Sequence, residues 1–160
     1  MSLRLFLADP GATEALGARL AATMPAKAVV FLAGELGAGK SSLARAMLRS
    51  LGVAGAIRSP TYTLVERYAL AHGEAAHMDL YRIAEAEELE FLGLQEISVE
   101  ARLLLVEWPE RAAAALPPAD LELGLAVADG GRLVEIRGNS QAGLFWLNKL
   151  SEIAADSPSS

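Results

Sequence analysis

The stretch Gly34-Glu35-Leu36-Gly37-Ala38-Gly39-Lys40-Ser41 places three glycines ahead of a lysine and a hydroxyl residue, a spacing suited to holding phosphate. Glycines let successive backbone N–H groups converge on anionic oxygens with no Cβ in the way, and a helix starting at the lysine adds a favourable dipole. Lys40 would face the β and γ phosphates as a point charge, with the Ser41 hydroxyl on the cation. The plain alternative is a Gly-rich turn ending in a helix cap. The loop lies, however, between an apolar strand-like run and a helical pattern, as phosphate binding requires.

Two carboxylates extend this inventory. Leu103-Leu104-Leu105-Val106-Glu107 has the form of a Walker B strand, with four apolar residues to bury it and an acid at the C-terminal edge, where ligands of parallel sheets collect. Glu107 could bind magnesium directly or through water, or orient an attacking water; in isolation it also reads as a solvated strand-end acid. Asp79, within His77-Met78-Asp79-Leu80-Tyr81-Arg82, ends another candidate strand. It reads equally as a second acid near the metal, as the group that positions water, or as an Asp turn, with Arg82 at hand to compensate charge. Ser59-Pro60-Thr61 falls where GTPases carry a switch loop, so Thr61 is either a γ-phosphate sensor or a hydroxyl-capped turn. His72 and His77 are too few for a metal cluster, and neither is assigned as a ligand.

The elements that must position these groups follow from apolar periodicity and breakers. Leu3 to Ala8 reads as a strand, and Asp9-Pro10 as the cap and first turn of a helix running to about Thr23. Lys27 to Ala33 reads as a strand buried on both faces, and Lys40 to Leu51 as a helix stopped by Gly52. Tyr62 to Tyr68 and Glu74 to Asp79 form an expected hairpin, Glu85 to Leu92 a helix closed by Gly93, and Leu103 to Val106 a buried strand. A short Ala-rich helix starts at Pro109. Leu121 to Val127 and Leu133 to Arg137 form a second hairpin around Gly130-Gly131, and a last helix covers Gly143 to Ala154. The expected fold is α/β of the P-loop NTPase type, a mainly parallel sheet flanked by helices with antiparallel hairpin strands added. Residues 1–155 are read as one domain, and 156–160 as a frayed tail.

Composition narrows the setting. With 52% hydrophobic and 21% charged residues over 160 positions, the chain can bury its own core, and disorder is excluded. No apolar run approaches the roughly 20 residues of a membrane span, and the N-terminus does not read as a signal peptide, so a cytoplasmic protein is expected. The absence of cysteine removes disulfides and thiolate zinc sites and leaves oxygen-bound cations such as magnesium. A net charge of -6 argues against autonomous nucleic-acid binding.

Several segments together carry a family resemblance. The phosphate loop with Glu35-Leu36-Gly37-Ala38 inside it, Ser59 to Val65, His77 to Arg82, Glu87-Glu88-Leu89-Glu90-Phe91 and Val106-Glu107-Trp108-Pro109 occur in the order found in the TsaE (YjeE) family. The chain resembles these bacterial ATPases, required for threonylcarbamoyladenosine formation in tRNA, from about Asp9 to Arg137. The resemblance implies ATP and Mg2+ as cofactors, with slow hydrolysis that supports turnover by a complex. It implies TsaD, which transfers the threonylcarbamoyl group to adenosine-37, and TsaB as partners, with tRNA reached only through them. It carries the nucleotide site onto Gly34, Glu35, Leu36, Gly37, Ala38, Gly39, Lys40, Ser41 and Ser42, although the family usually has Thr-Thr where Ser41-Ser42 stand here. It makes Asp79 and Glu107 the catalytic acids, and Ser41 with Glu107 the metal ligands. Trp108 matches a family Trp close to the nucleotide, though a core or interface aromatic is as good a physical reading. Arg132 matches a family Arg at the nucleotide, against the more usual solvated hairpin Arg.

A small-molecule kinase of shikimate-kinase type is the alternative. It needs an arginine-bearing lid, and only Arg111 lies between Trp108 and Leu121. A GTPase is weaker, because Asn148-Lys149-Leu150-Ser151 lacks the Asp of a guanine-reading element.

Overall fold

The computed structural model describes residues 1–156, with side chains through Glu152. The tail expected from 156 onward lies outside the described residues apart from Asp156 itself. In chain order the elements are β1 (Ser2–Leu7), α1 (Pro10–Thr23), β2 (Ala28–Ala33), α2 (Lys40–Ser50), β3 (Val65–Ala69) and β4 (Glu74–Asp79). They continue with α3 (Glu88–Phe91), α4 (Leu94–Glu100), β5 (Ala101–Glu107), β6 (Leu121–Ala128), β7 (Gly131–Gly138) and α5 (Gln141–Asp156).

The unbroken apolar run of β2 is explained by its central place in a seven-stranded sheet of order β1-β7-β6-β2-β5-β4-β3. Ala28, Val30 and Leu32 face a core shared with Leu16 and Leu20 of α1, Leu43 and Met47 of α2, and Trp146 of α5. Val29 and Phe31 face the other layer, where Leu89 and Ile97 of α3 and α4 cover Met78 and Val106. β6, β2, β5 and β4 run parallel, and β3, β7 and β1 add antiparallel pairings, as the two hairpins predict. β1 lies against β7 rather than beside β2, and so closes the far edge of the second hairpin.

The helix α1 starts where Asp9 Oδ1 accepts from the Ala12 N–H at 2.8 Å, with Pro10 in the first turn. It packs so closely on α2 that a Cβ at Gly17 would lie 2.5 Å from that of Ala46. That contact fixes the helix carrying Ser41 and Ser42 against the body of the protein.

Three local expectations are corrected. β3 begins at Val65 rather than Tyr62, because residues 60–64 form a turn in which the Leu64 N–H donates to Pro60 O at 2.8 Å and Leu64 takes φ 66°. The helix expected over Glu85 to Leu92 is a single turn, and a second helix, α4, continues beyond the left-handed Gly93. Leu94 and Ile97, three apart, supply its buried face. The Ala-rich helix after Pro109 is two 3-10 turns, Pro109–Arg111 and Ala113–Ala115, too short to complete α-helical bonding before Pro117.

Candidate nucleotide site

The C-terminal ends of three parallel strands bring the polar groups together. Leu32 of β2 stands opposite Glu107 of β5, and Glu107 opposite Asp79 of β4, so the loop after β2 and both acids emerge at one edge. Ligands of open α/β sheets gather at that edge.

The loop from Gly34 to Gly39 takes its path from glycine conformations. Gly34 has φ 145°, and a Cβ there would sit 2.4 Å from Leu125 O of β6, so the start of the loop is pressed against the second hairpin. Gly39, at φ 105°, turns the chain into α2. Lys40 is 5% exposed; its ammonium donates to Gly34 O at 2.5 Å and Glu35 O at 2.8 Å and lies 4.3 Å from the centre of the Trp108 ring. Burial pushes its pKa below the ordinary 10.5, against the opposing pull of Glu107, Asp79 and Glu110.

Ser41 Oγ donates to Glu107, 3.0 Å from Oε1 and 3.2 Å from Oε2. Glu107 is 2% exposed and also meets His77 Nε2 at 2.6 Å. Asp79 Oδ1 accepts from the Tyr81 N–H at 3.0 Å, while Thr61 Oγ1 reaches Oδ2 at 3.4 Å. Trp108 has φ 57°, an uncommon conformation for a large side chain, and packs on Tyr81 with ring centres 4.9 Å apart. Arg111 lies over both rings, so the arginine that a kinase lid would use is stacked beside the cleft.

These groups surround a cleft of about 540 Å³. Leu36, Gly37, Gly39, Lys40, Ser41, Ser42, Asp79, Glu107, Trp108 and Arg132 line it, as do Thr61, Tyr81 and Arg82. Gly34, Glu35 and Ala38 are not in its lining: Ala38 is buried beneath the loop, while Gly34 and Glu35 meet Lys40 through their carbonyls. Arg132 comes from β7 immediately after the Asp129-Gly130 turn and borders Gly39. A second hollow of about 850 Å³ adjoins the cleft through Gly39, Ser42 and Arg132. Asp9, Pro10 and Thr13 of the α1 start and Arg45 and Arg49 of α2 form its other walls. Sequence reasoning did not point to these residues. Arg45 follows Ser41 by one helical turn, which is the signal that was available.

Among the described residues no group of three or more His, Cys, Asp or Glu is placed to hold a metal. Magnesium asks for less from protein, because it takes hard oxygen donors and usually completes its octahedron with waters and substrate phosphates. The Ser41 hydroxyl beside the Glu107 carboxylate fits that demand.

The parallel sheet, the left-handed glycine turns and the lysine at the start of α2 define the class as a P-loop NTPase fold. The profile of the threonylcarbamoyl adenosine biosynthesis protein TsaE matches residues 7–134, and the chain belongs to the TsaE family, which serves tRNA threonylcarbamoyladenosine biosynthesis. It is 42% identical over 115 residues to the tRNA threonylcarbamoyladenosine biosynthesis protein TsaE of Haemophilus influenzae, covering 72% of this chain and 73% of that protein. The protein of the same description from Streptomyces coelicolor is 37% identical over 132 residues, covering 81% and 88%. The crystal structure of Bacillus subtilus YdiB shares the fold at a TM-score of 0.82 and 24% identity, covering 96% of this chain and 97% of that one. No described helix is long and apolar enough to cross a membrane.

Proposed function

We propose that this chain binds ATP with magnesium and hydrolyses it slowly, in support of threonylcarbamoyl transfer to adenosine-37 of tRNA by TsaD paired with TsaB. The observation that carries the reading is the convergence of Lys40, Ser41, Asp79 and Glu107 on one cleft at the mouth of the glycine loop. A single domain of residues 1–155 does this work, in the cytoplasm, and meets tRNA only through the complex.

The triphosphate lies in the loop and the nucleoside in the adjoining hollow, where Leu7, Pro10 and Ala46 offer apolar walls and Asp9 and Thr13 polar groups. Lys40 exchanges two carbonyls for β and γ phosphate oxygens, regaining its hydrogen bonds with an anionic partner. Ser41 and Glu107 would hold magnesium, which would supply charge neutralisation at those oxygens. Asp79 orients the water that attacks the γ phosphorus as the bond to the β,γ-bridging oxygen breaks, leaving ADP and phosphate. Thr61, hydrogen-bonded to Asp79, senses whether the γ phosphate is present. Arg132 borders both hollows and contacts the phosphates from the side of β7.

Reconstituted threonylcarbamoyladenosine formation tests the proposal. With purified TsaB and TsaD, multiple turnover should need this chain and fail with Lys40→Ala or Glu107→Ala, and its ATPase rate should rise on mixing. Full turnover without the chain, and an unchanged ATPase rate, would overturn it. Thermal shifts should be larger for ATP with magnesium than for GTP, since no guanine-reading element is present in the sequence.

A further inference from the structure

We propose that His77 is a positioning residue for the cation site: it holds Glu107 from the core side so that the other carboxylate oxygen faces the cleft. This rests on the magnesium-nucleotide reading given above and assigns a role to a side chain that reading leaves unused.

His77 and Glu107 are each 2% exposed, and Nε2 lies 2.6 Å from Oε2. His77 pairs with Leu105 in the β4–β5 register and Asp79 with Glu107, so His77 and Glu107 share a face and stand two residues apart along it. Nδ1 is buried with no hydrogen-bond partner. With a proton on Nε2 the ring donates to the carboxylate, and Nδ1 is the atom left without a partner. Placing the proton on Nδ1 instead would set two acceptors face to face at 2.6 Å.

Glu107 receives its other hydrogen bond from Ser41. With its oxygen given to a cation, Ser41 would no longer direct its hydroxyl proton at Glu107. His77 is then the donor that keeps the carboxylate from rotating. An apolar side chain would fill the same core space without the cost of burying Nδ1 unpartnered. Partners that orient a metal ligand in this way typically carry about 10- to 100-fold in metal affinity.

The test compares His77→Leu, which removes the donor, His77→Gln, whose amide nitrogen can reach the Nε2 position, and His77→Asn, whose amide is too short. Mn2+ is titrated into ADP-loaded protein and the bound ion read by electron paramagnetic resonance, with ADP affinity in EDTA measured separately. The expected result is a loss of about 10- to 100-fold in Mn2+ affinity for Leu and Asn, recovery of most of it by Gln, and unchanged ADP affinity in EDTA for all three. Parent-like Mn2+ affinity in the Leu or Asn variant, or a Gln variant as weak as Asn, would overturn the role of His77. If the Leu variant fails to fold, the Gln and Asn pair decides. A parent protein that binds no ADP would instead overturn the nucleotide reading, and this proposal with it.

Discussion

Two hairpins widen the parallel core, and they border the cleft in different ways. β6 and β7 pair along eight positions, and β1 adds six more on the outer edge. Leu125 O of that hairpin is pressed against Gly34, and at Gly131 a Cβ would lie 2.3 Å from Leu7 O. On the other side, the segment leading into the β3–β4 hairpin holds Asp79 through one backbone bond from Asp79 N to Leu64 O and a long contact from Thr61. Its Tyr62 is 82% exposed, with Arg82 over the ring. One wall is fixed by close backbone packing, while the other hangs on a few polar contacts. On the nucleotide reading proposed above, the first wall would grip phosphate and the second would register what is held.

Gly34→Ala attacks the fixed wall and should have the largest effect. Strain at φ 145° and overlap with Leu125 O should cost about 3 kcal/mol, read as a lower urea midpoint together with weakened nucleotide binding. Parent-like stability would show that the wall yields, and the contrast would disappear.

Lys40→Ala should weaken ATP about 100-fold by calorimetry while leaving the fold intact, since it removes charged hydrogen bonds and also a buried charge. The same lysine gives a pH dependence with a defined sign. Its pKa is lowered in the free protein and raised again by phosphate, so ATP affinity should hold near neutrality and fall as pH rises through the lowered value toward 10.5. Across that window the unfolded chain keeps the proton longer, so the Lys40 contribution to stability of the free protein rises with pH. An affinity that rose with pH would contradict the assignment.

Asp79→Asn should slow single-turnover hydrolysis about 100-fold with ATP affinity altered only a few-fold. Hydrolysis at the parent rate would remove Asp79 from catalysis. The smallest effect belongs to the loose wall: Tyr62→Ala should change unfolding free energy by no more than about 0.5 kcal/mol, yet reduce the difference in partner affinity between the ATP and ADP states. A large stability loss would mean that this wall, too, is part of the fixed frame.

The site was legible in the sequence to the extent that it is local. The glycine loop is one contiguous stretch, and the strand ending in Glu107 declares itself by four apolar residues and an acid, so both were read together with the parallel core. Contacts made across the chain were hidden. His77 meets Glu107 from 30 residues away; the sequence marks it only as the start of the segment carrying Asp79 and gives no sign of that contact. The hollow beside the cleft joins Thr13, Arg45 and Arg132 from three different elements, and of these only Arg132 was reached, through the family resemblance. Likewise the placement of β1 beside β7 depends on sheet closure, and α4 on a burial pattern too short to stand out from the turn before it.

The chain's two tryptophans make it its own optical gauge. Trp146 is fully buried in the core and donates from Nε1 to Thr23 Oγ1 at 3.0 Å, whereas Trp108 sits at the cleft with the Lys40 ammonium over its ring. Nucleotide that draws the ammonium away changes the field at one indole and leaves the other as an internal reference. Emission should therefore shift on ADP or ATP addition in the parent protein and in Trp146→Phe, and stay unchanged in Trp108→Phe. Bound and free populations would then be read in real time without a label.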